Sequence, residues 1–160
     1  MPLLDRTGAR VPDGWAYARE PEDLATEGPV FVAPALWRAA RESLLERDGP
    51  LGLLLAPDDA PEDLAVDLGH FRAIAIEFPR FTDGRGYSHA RVLRQRLGFA
   101  GEIRAVGEVL RDQLLFMRRC GIDAFLVAKP ADADAAPAAL REIDVVYQPA
   151  ADGARPGPRP

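Results

Sequence analysis

Short apolar runs alternate with amphipathic segments along most of this chain. Each run is five to eight residues long and is bounded by turn-forming residues, which is typical of a buried strand. The segments between the runs repeat apolar residues every three or four positions, which is typical of a helix with one face in the core. The pattern predicts strands at 29–33, 51–55, 71–78, 102–106, 122–127 and 143–147, and helices at 35–47, 61–68, 86–97, 107–119 and 135–142.

This alternation predicts an α/β fold with a mainly parallel sheet, because parallel neighbours need a crossover connection. The crossovers are expected to be right-handed. The rhythm suits either an open doubly wound sheet or part of a β/α barrel, since a full barrel needs about 250 residues. We expect an irregular N-terminal arm at 1–28 with room for a short hairpin, a single α/β domain at 29–148, and a disordered tail at 149–160.

Composition narrows the function classes. The formal net charge of −5 argues against general nucleic-acid binding. Nineteen of the twenty basic residues are arginine, so arginine number alone indicates no function. No signal pattern and no apolar stretch of roughly 18 residues is visible, which predicts a cytoplasmic protein with no membrane partner. With Cys120 as its one cysteine, the chain is expected to hold no intramolecular disulfide, no four-cysteine cluster and no cofactor.

Positive charge is concentrated in residues 78–125, where nine arginines stand against five acids. This block carries the turn TDGRGYS between a predicted strand and a predicted helix. Strand carboxyl ends and helix N-termini both bind anions. Gly84 and Gly86 permit a positive φ and close backbone approach, and Thr82 or Ser88 could cap the helix or contact the ligand. The plainer alternative is a tight Asp-Gly turn with solvated arginines. The candidate anion- or partner-binding residues are Arg80, Thr82, Asp83, Gly84, Arg85, Gly86, Tyr87, Ser88, Arg104, Gly107 and Arg111.

Arg104 lies in a predicted buried strand, where a guanidinium must find a carboxylate or an anion. It could complete an anion pocket with the turn, or form an internal ion pair with Glu77 or Asp83. Gly107 ends the same strand and is expected to open a second helix N-terminus beside the first. Two adjacent helix starts with two arginines would bind an anion better than either alone.

The other reactive residue types indicate no chemistry. Cys120, His70 and His89 are expected to be structural or surface residues, because none has a partner at a recognised catalytic or metal-ligand spacing. No set of nucleophile, base and orienting residue is visible, and no metal motif. The sequence therefore assigns no catalytic residue.

A combination of short strings within the block is highly specific. The strings are FPRFTDGRGYS from Phe78, then Leu93-Arg94, Gly101-Glu102, Arg104-Ala105-Val106-Gly107, Arg111-Asp112-Gln113 and RCGIDAF from Arg119. In these residues the chain resembles a bacterial family known as the domain of unknown function 934 family. Its members are often labelled probable oxidoreductases and commonly lie in gene neighbourhoods with assimilatory sulfite or nitrite reductase and phosphoadenylylsulfate reductase. The resemblance implies a role in sulfur assimilation and a sulfite or nitrite reductase as partner.

Three functions remain open at this point. The leading hypothesis is an accessory protein of assimilatory sulfite reduction that binds the reductase, or a small oxyanion, through the turn and its arginines. An alternative is an enzyme acting on a small phosphorylated or sulfur-containing substrate, with Asp83 or Glu108 as acid or base. The third is a dimeric structural module, since a partial barrel leaves sheet edges for a second copy to pair with.

Overall fold

The computed structural model of the chain describes residues 1–24, 27–142 and 150–151. Within them the backbone forms eight strands, four α-helices and several short 3₁₀ or π turns, which confirms the α/β class. The strands are β1 (Leu3–Leu4), β2 (Arg10–Val11), β3 (Ala16–Ala18), β4 (Val30–Val32), β5 (Leu51–Leu55), β6 (Ala73–Phe78), β7 (Glu102–Gly107) and β8 (Ala124–Leu126). The α-helices are α1 (Pro34–Glu46), α2 (Arg85–Arg91), α3 (Leu114–Arg119) and α4 (Pro130–Ala139).

The eight strands form one sheet in the order β2-β1-β8-β7-β6-β5-β4-β3. The neighbours from β3 to β8 are parallel, whereas β1 pairs antiparallel with both β8 and β2. The parallel strands follow one another in chain order, and the sheet curls into a half-barrel. Of the two predicted architectures, the partial β/α barrel is therefore correct. The doubly wound sheet is wrong, because that fold reverses its strand order at a switch point.

The sheet has two unlike faces. The larger hydrophobic cluster fills one side and includes residues of all four helices, with Trp37 and Met117 among them. The smaller cluster lies on the concave side and contains no helical residue among those described. There Trp15 and Tyr17 stack on Phe31, with ring centroids 4.4 and 5.1 Å apart. The segment around β3 thus covers part of the concave face.

Two helices begin at places other than those predicted. The helix expected from Gly107 begins at Leu114, after a 3₁₀ turn at Arg111–Gln113. Gly107 has a φ of 98°, which a right-handed helix does not accept, so the chain first leaves the strand through a loop. The last helix begins at Pro130, five residues before the predicted start, because proline is preset for the first turn of a helix.

Two other predicted helices form only partly as α-helix. The segment predicted at 61–68 folds as two 3₁₀ turns, Pro61–Leu64 and Leu68–His70. The segment predicted at 86–97 is helical throughout most of its length, with α2 continuing as a π turn at Val92–Arg96. The helical nature of this second segment is confirmed.

Residues 1–24 contribute to the sheet instead of forming an irregular arm. β1 and β2 make the expected hairpin, Leu3 of β1 pairs with Leu126 of β8, and Ala16 of β3 pairs with Val30 of β4. These strands are two or three residues long, too short to give a periodic signal. The strand expected at 143–147, and the expected tail apart from 150–151, lie outside the described residues. Across the described part of the chain, every helix is too short or too polar to cross a membrane.

Candidate functional site

The predicted turn lies at the carboxyl end of β6 and is held by the loop that follows β7. The Glu108 N–H donates to the Phe78 carbonyl at 2.7 Å, and the Phe81 N–H donates to the Glu108 carboxylate at 2.6 Å. The Gln113 side chain donates to the Phe81 carbonyl at 2.8 Å. Both backbone polar groups of Phe81 are therefore bound by side chains of the neighbouring loop, which fixes the turn in place.

Arg85, the first residue of α2, is ion-paired within its own chain. Its guanidinium donates to Asp83 at 3.0 and 2.7 Å and also to Asp58. The Asp83 carboxylate also accepts the Arg85 N–H and so caps the start of α2. The prediction that Thr82 or Ser88 caps this helix is wrong, and the N-cap residue, Gly84, makes no side-chain bond. Hydrogen bonds from the Arg85 side chain and backbone lower the pKa of Asp83 to about 2. Asp83 is thus ionised at neutral pH and too weak a base for proton transfer.

Only one glycine of the turn is required by close packing. Gly84 has a φ of −81° and open space around it, and Gly86 also lacks a positive φ, so neither uses the positive φ that glycine permits. The close approach expected of these glycines is confirmed at Gly86. A Cβ on Gly86 would lie 2.6 Å from the Phe78 ring, so α2 needs a glycine there to reach the strand. The positive φ occurs at Gly107, where a Cβ would lie 2.5 Å from the Phe78 carbonyl oxygen.

A series of aromatic rings leads from the core to the surface beside the turn. Tyr87 on α2 contacts the buried ring of Phe78 at 5.2 Å and the ring of Phe116 on α3 at 4.9 Å, measured between centroids. Phe116 is 49% exposed, and the Arg91 guanidinium lies 5.7 Å from its ring centroid. Burial raises the pKa of Tyr87, which keeps its hydroxyl protonated at neutral pH.

The turn extends this surface. Phe81 is 54% exposed although its backbone is fixed, and it is bound to Gln113, three residues before Phe116. Neither Arg80 nor Arg91 has an acidic partner among the residues that the structure describes. Exposed rings and unpaired guanidinium groups are the side chains enriched in protein interfaces. The name aromatic surface is used below for Arg80, Phe81, Tyr87, Arg91 and Phe116.

Arg104 lies elsewhere, on the concave face of the sheet. Its guanidinium donates to Glu102 at 2.9 Å, to Asp13 at 2.7 Å and to the Tyr17 hydroxyl at 3.2 Å. It also lies 5.2 Å from the centroid of the Phe31 ring. Only 2% of the side chain is exposed. The prediction that a buried Arg104 needs a carboxylate or an anion as partner is confirmed. These contacts lie on the opposite side of the sheet from α2.

The predicted site therefore divides into separate places. The partners proposed for Arg104 are wrong, since Glu77 pairs with Arg19 and Asp83 pairs with Arg85. Arg111 is 2.9 Å from Asp112 and 3.6 Å from Glu142. With no helix starting at Gly107, the second anion-binding helix terminus does not form. What remains together is the turn and the aromatic surface.

The cysteine and the two histidines lie outside the aromatic surface. Cys120 is fully buried, and burial lowers the pKa of His89, whose Nδ1 is also buried without a hydrogen-bond partner. The His70 Nε2 lies 3.3 Å from the Arg41 guanidinium. Among the described residues no group of three potential metal ligands comes together.

Sequence reasoning missed the roles of several residues. Glu102 and Arg104 are two apart on one strand and so share a face, a spacing that could have identified this pair. Asp13, Asp58 and Gln113 carry no such signal, because each reaches its partner across a long sequence separation.

The comparison with protein families matches residues 52–157, two thirds of the chain, to the family described as bacterial protein of unknown function (DUF934). The chain belongs to the DUF934 family. This confirms the resemblance drawn from the TDGRGYS block, and the matched range contains the whole aromatic surface. Neither the search of curated proteins nor the search of solved structures returned a match.

Proposed function

We propose that this DUF934 protein is a cytoplasmic accessory protein of assimilatory sulfite reduction that binds the reductase through the aromatic surface and the TDGRGYS turn. The proposal joins two supports. The first is the sulfite or nitrite reductase neighbourhood that the family resemblance implies. The second is an exposed aromatic ring on a backbone fixed in place at Phe81.

The fixed backbone is the observation that carries the proposal. A ring presented by a rigid turn loses little conformational freedom on binding, so more of its burial energy appears as affinity. Phe116 and Tyr87 are similarly held by ring contacts with one another. Arg80 and Arg91 add charged donors around the rings, suited to carboxylates on a partner.

The geometry favours a protein partner over a small oxyanion at the turn. An oxyanion bound to Arg85 would compete with Asp58 and with both oxygens of Asp83, and it would be repelled by those carboxylates. The Arg91 guanidinium, which has no acidic partner among the described residues, lies against the exposed ring of Phe116. Arg80 directly precedes the exposed Phe81 in the chain. The same argument weighs against an enzyme that uses Asp83 as its base.

The test is capture of sulfite reductase by the tagged chain from cells grown on sulfate, compared with the double variant Arg80→Glu/Arg91→Glu. Charge reversal is expected to remove most of the captured reductase and to slow growth on sulfate but not on cysteine. The matched control is Arg38→Glu/Arg72→Glu, which reverses two exposed arginines outside the aromatic surface. Equal capture by parent and both variants would refute the interface, and no reductase with the parent chain would refute the function.

A further inference from the structure

An open cleft of about 800 Å³ lies on the concave face, at the amino ends of β7 and β8. It is at the opposite end of the parallel strands from the turn. Arg104 and Glu102 line it, with Asp5, Arg6, Thr7 and Asp123 as further polar residues and Leu3, Val11, Trp15 and Ala124 among the apolar ones. A concave site that combines apolar surface with convergent polar groups is a common form of small-molecule site.

Arg104 is oriented by its partners but not saturated by them. Its Nε donates to Glu102, and its Nη1 donates to both Asp13 and the Tyr17 hydroxyl. Its Nη2 has no acceptor among the described residues. Arg104 is one of the residues that line the cleft. A side chain that is 98% buried therefore lines the cleft with two N–H donors that its neighbours leave unused.

The charges around Nη2 restrict the ligand. The carboxylates of Asp5, Glu102 and Asp123 in the cleft, with Asp13 on Arg104, outweigh the positive charges of Arg6 and Arg104, so an anion would be repelled at this position. Glu102 uses one carboxylate oxygen for Arg104 and is 39% exposed, which leaves its second oxygen free to accept a bond. A group that fits both neighbours must accept from Nη2 and donate to Glu102 while remaining uncharged.

We propose that this cleft binds a small neutral molecule with a carboxamide-type head group and an apolar body. The carbonyl oxygen accepts from Arg104 Nη2, an N–H donates to Glu102, and the body lies against the apolar wall beside Trp15. This inference is independent of the proposed function, because none of these residues belongs to the aromatic surface.

Three probes of equal size and shape separate the charge requirements: benzoate, benzamide and benzamidine. Each is titrated into the full chain, labelled with ¹⁵N, and chemical shifts of the Trp15 indole and of cleft backbone amides are followed. Benzamide is expected to bind at least tenfold more tightly than either charged probe. Benzoate lacks the donor for Glu102, and benzamidine lacks the acceptor for Nη2.

Equal or tighter binding of benzamidine would overturn the proposal, since acidic groups alone would then explain the site. Binding of benzoate as the preferred probe, or of none of the three, would overturn it as well. If none of the three probes binds, the role of the Arg104 cluster is to join the β3 segment to the sheet.

Variants locate the binding. Ala100 lines the cleft and is exposed, so Ala100→Phe is expected to fill the cleft and abolish the benzamide shifts without changing the melting temperature. Ala39→Phe, on an exposed face of α1, is the matched control and should bind like the parent. Gly14→Leu is a second blocking variant, because a Cβ on Gly14 has no atom within 4 Å. Unchanged benzamide binding in both blocking variants would overturn the assignment, and both should still capture the reductase.

Discussion

Arg104 and Arg85 lie at opposite ends of the half-barrel, and each forms ion pairs with two carboxylates. Their surroundings differ. Arg104 is 2% exposed and is bound by Asp13 and Glu102 on the concave face. Arg85 is 53% exposed and is bound by Asp83 and Asp58 at the carboxyl end. In water an ion pair replaces good hydration with a modest attraction, whereas a buried guanidinium has no alternative partner. The ion pairs of Arg104 on the concave face should therefore stabilise the fold. Those of Arg85 at the turn should mainly change the pKa of the neighbouring carboxylates.

Removing the buried charge is the strongest way to test this contrast. Arg104→Met is expected to lower the free energy of unfolding by about 2–4 kcal/mol, somewhat below the range for fully buried pairs because Asp13 and Glu102 are partly exposed. Denaturant unfolding followed by circular dichroism measures the change. Arg38→Met is the control for an exposed arginine and should match the parent. A parent-like value for Arg104→Met would remove the distinction between the two ends.

A substitution at the carboxyl end tests whether backbone geometry, rather than the arginine, stabilises the turn. Gly107→Ala is expected to cost about 1–3 kcal/mol, because alanine is strained at a φ of 98° and its Cβ would lie 2.5 Å from the Phe78 carbonyl oxygen. Gly84→Ala is the control, since Gly84 has a negative φ and open space around it. Thermal unfolding of both variants decides the matter, and equal melting temperatures would contradict the prediction.

The two ends also differ in how much of them the sequence predicts. The apolar runs predict β5 and β6 well, because a buried strand in a parallel sheet is mostly apolar on both faces. β7 was also predicted, although its concave face carries Glu102 and Arg104. They do not predict β1 to β3, whose two or three residues are ordered by partners far along the chain. Sheet order also decides between a doubly wound sheet and a half-barrel, and no local pattern encodes that order.

The candidate site was partly predictable for the same reason. The turn and its position after β6 follow from local spacing, whereas the fixing of Phe81 depends on Glu108 and Gln113 from the next loop. Burial of Arg104 in a strand was predicted, but the side of the sheet it faces was not. Asp13 could be linked to it only once β3 was known to lie over the concave face.

Loss of the ion pair between Arg85 and Asp83 should have a smaller effect on stability, but it should change the pKa of Asp83. Arg85→Ala is expected to lower the unfolding midpoint at pH 7 by only a small amount, because Arg85 and Asp58 are exposed to solvent and Asp83 is partly so. It should raise the pKa of Asp83 from about 2 towards its ordinary value of 3.8. NMR titration of the Asp83 side-chain carboxyl carbon measures this shift. A pKa that stays near 2 in the variant would mean that the backbone N–H alone depresses it.

The pH dependence of stability is the finest test. The folded-state pKa of Asp83 is lowered, so its contribution is fully present above pH 3.8 and disappears as the pH falls towards about 2. The parent and Arg85→Ala should therefore converge in stability at the acid end of this window. Unfolding curves at several pH values between 2 and 6 measure the difference. A gap that persists at pH 2 would show that Arg85 stabilises the fold by packing and not by charge.

The antiparallel pairing of β1 with β8 cannot form until β8 has been synthesised. Leu3 pairs with Leu126, and the Val127 N–H donates to the Pro2 carbonyl at 3.1 Å. A ribosome adding about 5–20 residues per second needs about 6–25 s to travel from one strand to the other. β1 is therefore complete well before its partner β8 exists, and a nascent chain stalled before residue 124 keeps in water two leucines that the finished protein buries.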